Sequence, residues 1–127
     1  MKKLVYILLV IITLVSCSDD DTEDADLIGN WKLIEVLSDP GDGNGTFQDI
    51  DSEKTITFFE DGTFSSTESI CNSATTDDLY IGVYTDSNLT PDNCSDSGWA
   101  YNFVIDGNTL ILSYPCIEPC KEKYIKL

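Results

Sequence analysis

The chain has 127 residues, with 23 acids against seven bases, a net charge of −16, and neither histidine nor arginine. A surface of that sign repels the phosphate backbones of nucleic acids, which are held through Lys and Arg, and the lack of His removes the commonest general base. The length allows one small domain with a core of its own. The chain opens on Met1, Lys2 and Lys3, followed over residues 4–15 by an uncharged run whose only polar side chains are Tyr6 and Thr13. That is the layout of a secretory signal. The run also stops short of the roughly 20 apolar residues that a membrane-spanning helix needs.

The run ends in Leu14-Val15-Ser16-Cys17, with Asp19, Asp20 and Asp21 close behind. This ending resembles the bacterial lipobox, in which the cysteine thiol takes a diacylglyceryl group, the signal is cut before it, and the new amino group is acylated. The resemblance implies a signal peptide over residues 1–16 and a mature chain that starts at a lipidated Cys17, carrying chains such as palmitate. An ordinary signal followed by a spare cysteine is the plainer reading, but an unpaired exposed thiol is unusual in an exported protein. Each buried methylene contributes about 0.8 kcal/mol and stable anchoring takes more than one chain, so such a modification would hold the protein on a membrane. Residues 18–26 carry six acids and no base and are expected to stay a solvated tether. Ser18-Asp19-Asp20-Asp21 also resembles the signal by which some Gram-negative bacteria send lipoproteins to the outer face of the outer membrane. The expected location is therefore the bacterial outer membrane, at the cell surface.

From residue 27 to 127 the punctuation is that of short strands. Strands are expected over residues 31–37, 54–59, 63–66, 80–85, 99–105, 109–114 and 121–127. The Asp61-Gly62 and Asp106-Gly107-Asn108 steps mark two hairpins, and the proline and glycines of residues 39–45 mark a loop. Trp99, Tyr101, Phe103 and Ile105 share one face of their strand, and Leu110, Leu112 and Tyr114 share one face of the next. No segment after Val15 carries a helical stripe. Short strands at this spacing point to an antiparallel barrel or sandwich, and closing the sheet would remove exposed edges.

Four cysteines fall in this body, Cys71, Cys94, Cys116 and Cys120. In an exported chain they are expected to form two disulfides; a four-thiolate zinc site is disfavoured because the paired C-x2-C knuckles are missing. Of three possible connectivities, the expectation is Cys116 with Cys120 across the tight Ile117-Glu118-Pro119 turn, and Cys71 with Cys94. The second pair fits poorly with an up-and-down strand order, which would put the two cysteines at opposite ends.

Leu27-Ile28-Gly29-Asn30-Trp31-Lys32-Leu33 is similar to the Gly-x-Trp opening of lipocalins, and closer to the lipocalin-like domains of small bacterial lipoproteins, which run "L-x-G-x-W-K-L" and then "I-T-F-x-x-D-G-T". The second piece occurs as Ile56-Thr57-Phe58-Phe59-Glu60-Asp61-Gly62-Thr63, and the Pro115-to-Cys120 stretch followed by residues 121–127 resembles the end of that group. The resemblance spans residues 27–127 and implies an all-β fold: a small antiparallel up-and-down barrel of 7–8 strands, stapled by disulfides. It implies that Trp31 closes one end, under a lysine such as Lys123 or Lys126 in place of the family's arginine, or simply packs in the core. The chain is shorter than a full lipocalin and lacks the helix after the barrel, which argues against a roomy cavity.

Catalysis has little to stand on. Paired cysteines leave no thiolate nucleophile, no pair of acids stands out for glycoside hydrolysis, and no cofactor or catalytic residue is assigned. Asp39, Asp42, Asn44 and Asp49 offer oxygen ligands of the kind calcium takes, but their spacing departs from the EF-hand and a plain turn is the favoured reading. The functional expectation is a non-catalytic binding module, with Phe58, Phe64, Tyr101, Phe103 and Tyr114 lining a site for a small apolar ligand. The alternative is a filled barrel acting as an interaction piece of a cell-surface assembly, meeting an envelope protein or glycan through loops 38–52 and 86–98.

Overall fold

The computed structural model describes residues 26–71, 79–92, 94, 101–116 and 120–127. The signal, the tether as far as residue 25, Cys17, Trp99 and the 117–119 turn lie outside these residues. Among the described residues the fold is all-β, with strands β1 (Gly29–Ser38), β2 (Phe47–Asp49), β3 (Thr55–Phe58), β4 (Thr63–Ser66), β5 (Tyr80–Tyr84), β6 (Asn88–Pro91), β7 (Tyr101–Asp106), β8 (Thr109–Ser113) and β9 (Cys120–Lys126). Neighbours pair antiparallel in chain order from β3 to β9, and β9 returns to pair with β1, which closes an eight-stranded barrel. The expected up-and-down barrel is present. β2 is the ninth strand, and it lies on the same edge of β1 as β3, pairing Glu35 with Asp49 while β3 pairs Lys32 with Thr55.

Two of these strands, β2 and β6, are additional to the seven expected, for different reasons. Phe47-Gln48-Asp49 has one apolar residue and forms only because the second half of β1 outruns β3 and offers it an edge. Asn88-Leu89-Thr90-Pro91 carries turn-forming Asn and a terminal Pro, yet Leu89 is fully buried and the strand fills the gap between β5 and β7. β6 also removes the difficulty over the cysteines. With it present, the segments after β4 and after β6 leave from the same end of the barrel, and Cys71 and Cys94 are bridged with their Cα atoms 5.4 Å apart. Cys116 and Cys120 are bridged at 6.0 Å, where β8 passes to β9 at that same end. Both staples therefore sit at one mouth.

Inside, alternation sends one face of each strand to the core. Trp31, Leu33, Ile56, Phe58, Phe64, Leu89, Tyr101, Phe103, Leu110, Leu112 and Tyr124 are all buried. Strand β1 needs a correction to its own period. Its pairing with β9 runs Leu33 to Tyr124 and then Glu35 to Lys123, skipping Ile34 as a bulge. The extra residue flips the parity. Glu35 turns outward to an ion pair with Lys123 at 2.5 Å, and Val36 takes the inward place opposite Glu122. Without the bulge, the Glu35 carboxylate would turn into the barrel beside that of Glu122.

Two glycines are required by geometry. Gly62 closes the β3–β4 hairpin at φ +83°, a region L side chains rarely adopt. Gly82 on β5 backs onto β6 so closely that a Cβ would lie 2.3 Å from the Thr90 carbonyl oxygen.

The end opposite the mouth holds both termini of the described body. The chain enters there at Asp26, the Trp31 indole donates to the Leu27 carbonyl at 2.9 Å, and Lys126 lies across the ring with its Nζ 4.8 Å from the centroid. Trp31 is fully buried and roofed by Lys126 at once, so both expectations for this residue hold together. Lys123 instead stands over Phe47, 4.3 Å from its ring centroid.

Candidate functional site

Four of the five aromatics assigned to a ligand site, Phe58, Phe64, Tyr101 and Phe103, are at most 2% exposed. They pack on one another and on their neighbours: Phe58 meets Phe103 at 5.7 Å between centroids, Phe64 at 6.4 Å and Tyr84 edge-on at 5.1 Å. These are ordinary aromatic core contacts. The fifth, Tyr114, follows β8 and is only partly buried; its ring meets Tyr101 edge-on at 5.6 Å. Tyr114 alone of the five borders open space.

Next to Tyr114 lies a group of polar side chains that the sequence reading did not single out. Lys54, just before β3, is 5% exposed at its side chain, and its ammonium donates to both carboxylate oxygens of Glu122 at 2.9 Å and to the Ser69 carbonyl at 2.8 Å. The Tyr114 and Tyr124 hydroxyls donate to the same carboxylate oxygen of Glu122. The network ties β3, β8 and β9 together with its donors and acceptors matched, the condition under which buried charge is tolerated. Burial, reinforced by the neighbouring Glu122 charge, pushes the Tyr114 hydroxyl well above its ordinary range; burial does the same for Tyr124, with Tyr114 and Glu122 adding to it. A signal for Glu122 did exist. It sits two residues before the buried Tyr124, so strand parity aims it inward. Lys54 has no comparable mark, because it precedes its strand.

Over this network opens a pocket of about 300 Å³ at the mouth of the barrel. Val36, Leu37 and Ile70 supply its apolar wall, and Cys71, Cys116 and Cys120 bring both disulfides to its edge. Its polar lining is Ser69, Tyr114, Lys121 and Glu122. Of the two charged groups, Glu122 is committed to Lys54, whereas Lys121 forms no ion pair among the described residues. All four cysteines assigned from sequence and Tyr114 therefore gather at this mouth, while Phe58, Phe64, Tyr101 and Phe103 belong to the core beneath it.

The acidic loop after β1 is built around Asp39. One of its carboxylate oxygens accepts from the amides of Gly41, Asp42 and Gly43 at 2.8–3.1 Å, and the other from Gly45 at 3.2 Å. Those amides, Gly41 foremost, hold the Asp39 carboxyl below its usual range. Asp39 thus serves as the anion of a turn. Among the described residues no group of three His, Cys, Asp or Glu is arranged to hold a metal ion.

No family model matches the chain, and no match to it is found among the curated proteins or the solved structures.

Proposed function

We propose that the protein is a non-catalytic binding module, held on the outer membrane through a lipidated Cys17 and presenting the mouth pocket to a small ligand at the cell surface. The anchor rests on the Leu14-to-Cys17 ending and its resemblance to a lipobox, and the lipocalin-like assignment on the Gly-x-Trp opening. The observation that carries the reading is the position of the pocket. The chain enters the barrel at Asp26 at one end, and the pocket with both disulfides opens at the other. A tether attached at the first end leaves the second free to face away from the lipid. The core aromatics belong to the scaffold in this reading, and the ligand meets the Val36, Ile70 and Tyr114 region.

Two measurements test it. Mass analysis of the mature amino-terminal peptide from membranes should give an acylated Cys17; an unmodified start removes the anchor. The neutral fluorophore N-phenyl-1-naphthylamine should bind saturably to the protein, and Val36→Phe, which fills the pocket from β1, should abolish this while leaving the circular dichroism unchanged. An absence of saturable binding by the wild-type chain defeats the pocket.

A second reading, an interaction piece of an envelope assembly, is favoured by the filled interior and by Ile81, Val83 and Val104, which stand 45–60% exposed on β5 and β7. Cross-linking on intact cells separates the two, since this reading requires capture of a neighbouring envelope protein.

A further inference from the structure

Cys71, Cys116 and Cys120 all line the mouth pocket, but the two disulfides they belong to differ in exposure. Cys71 and Cys94 are 8% and 9% exposed, whereas Cys116 and Cys120 are only partly buried. A thiolate opens a disulfide only where it can reach a sulfur, so a thiol in solution meets the short bridge before the long one. The short bridge is also tied to the pocket wall. The Tyr114 amide donates to the Cys120 carbonyl at 3.0 Å, and the Tyr114 carbonyl accepts from the Cys116 amide at 2.9 Å. Tyr114 is thus held between the two cysteines. Its hydroxyl donates to Glu122, which follows Cys120 by two residues on β9 and so lies on the same face of that strand. Tyr114 and Glu122 both line the pocket. Opening the bridge releases Cys116 from Cys120, and two thiols need more room than a bonded pair, at the wall these residues share. The barrel itself would stand. A bridge across a sequence separation of 4 contributes less loop-closure entropy than one across 23, and the buried Cys71–Cys94 bridge stays shut.

We propose that the Cys116–Cys120 disulfide is a redox switch of the mouth pocket. Bridged, it holds Tyr114 and Glu122 where they shape the pocket; reduced by a small thiol of the glutathione class, it releases them and the pocket loses affinity. This rests on the pocket being a binding site. One reductant thiolate attacks a sulfur of the bridge, forms a mixed disulfide and expels the other cysteine as its thiolate; a second reductant thiolate then displaces the first. Two reductant thiols become one disulfide, and two electrons and two protons pass to Cys116 and Cys120. A ligand that prefers the bridged form must, by the same factor, make the bridge harder to reduce.

The test equilibrates the full chain carrying Cys17→Ser in glutathione buffers of graded ratio, traps free thiols with iodoacetamide and maps them by mass analysis, with N-phenyl-1-naphthylamine binding measured in parallel. Cys116 and Cys120 should become alkylated at a reducing strength at least about tenfold below the one that exposes Cys71 and Cys94. Across that first step the dye affinity should fall at least about fivefold with circular dichroism unchanged, and oxidised glutathione should restore it. Saturating dye should move the first step to stronger reduction. Cys116→Ser with Cys120→Ser should bind as weakly as the reduced chain and ignore glutathione. Release of Cys71 and Cys94 first or at the same strength, dye affinity unchanged across the first step, or a glutathione response that persists in the double variant overturns the switch while leaving a binding pocket in place. Absence of dye binding by the oxidised chain overturns both.

Discussion

Lys126 lies over the indole of Trp31, and its ammonium also donates to the backbone carbonyls of Asp26 and Ile28. The last strand thereby closes the floor of the barrel against the segment by which the chain enters it. A cation over an aromatic face contributes about 0.5–2 kcal/mol, the larger figure where water is excluded. Lys126→Met should therefore lower the urea midpoint by an amount equivalent to about 1–2 kcal/mol. An unchanged midpoint would show that the floor is closed by Trp31 alone.

The Lys54–Glu122 pair invites a double-mutant cycle. Removing one partner of a buried pair costs about 3–5 kcal/mol, because it leaves the other charge uncompensated, whereas replacing both with apolar groups is often far milder. Glu122→Leu alone should be the most damaging change in this part of the barrel. Lys54→Met combined with Glu122→Leu should cost much less than the two single changes added together. Strict additivity in chemical denaturation would mean that the two charges do not sense each other.

Alkaline stability follows from the tyrosines of the same network. Tyr114 and Tyr124 have pKa values raised well above the ordinary 10.0 in the folded chain, so above that pH the unfolded chain releases protons that the folded chain keeps. A raised native pKa gives a contribution that is fully present below the unfolded value and is lost as pH rises through the folded one. Unfolding free energy should hold up to about pH 9 and then fall. Replacing both tyrosines with Phe should make that fall shallower, even though it weakens the protein at neutral pH. An identical alkaline slope in the variant would assign the loss to other groups.

The two disulfides should differ in weight. Cys71 and Cys94 are 23 residues apart in sequence and Cys116 and Cys120 only 4. Loop-closure entropy makes the longer bridge the more stabilising by roughly 1.5 kcal/mol. Cys71→Ser with Cys94→Ser should lower the melting temperature further than Cys116→Ser with Cys120→Ser. The reverse order would show that the short bridge acts by holding the mouth in shape.

The acidic loop offers a residue-level check. With Asp39→Ala the amides of Gly41, Asp42, Gly43 and Gly45 lose their acceptor, and their hydrogen exchange should accelerate roughly tenfold or more, with the barrel strands unaffected. Unchanged protection would mean that the loop holds its form without the carboxylate.

Much of this molecule is legible one strand at a time, because the two-residue period and the turn chemistry are local. The inward set of Tyr101, Phe103, Leu110 and Leu112 and the Asp61-Gly62 hairpin could be anticipated from stretches of a few residues, whereas the lysine roof over Trp31 is an expectation of the resemblance, which leaves Lys123 and Lys126 both open. What tertiary structure alone decided are the features that depend on register between strands far apart in sequence. Asn88–Pro91 is a strand because β5 and β7 leave room for one, and its presence brings Cys94 round to Cys71. Glu35 faces outward because the pairing with β9 skips Ile34. Lys54 and Glu122, 68 residues apart, become partners only when the barrel closes. The pocket belongs to this second kind. Val36, Ile70, Tyr114 and Lys121 come from four separate parts of the chain, and no short stretch could announce a site that exists only where their strand ends converge.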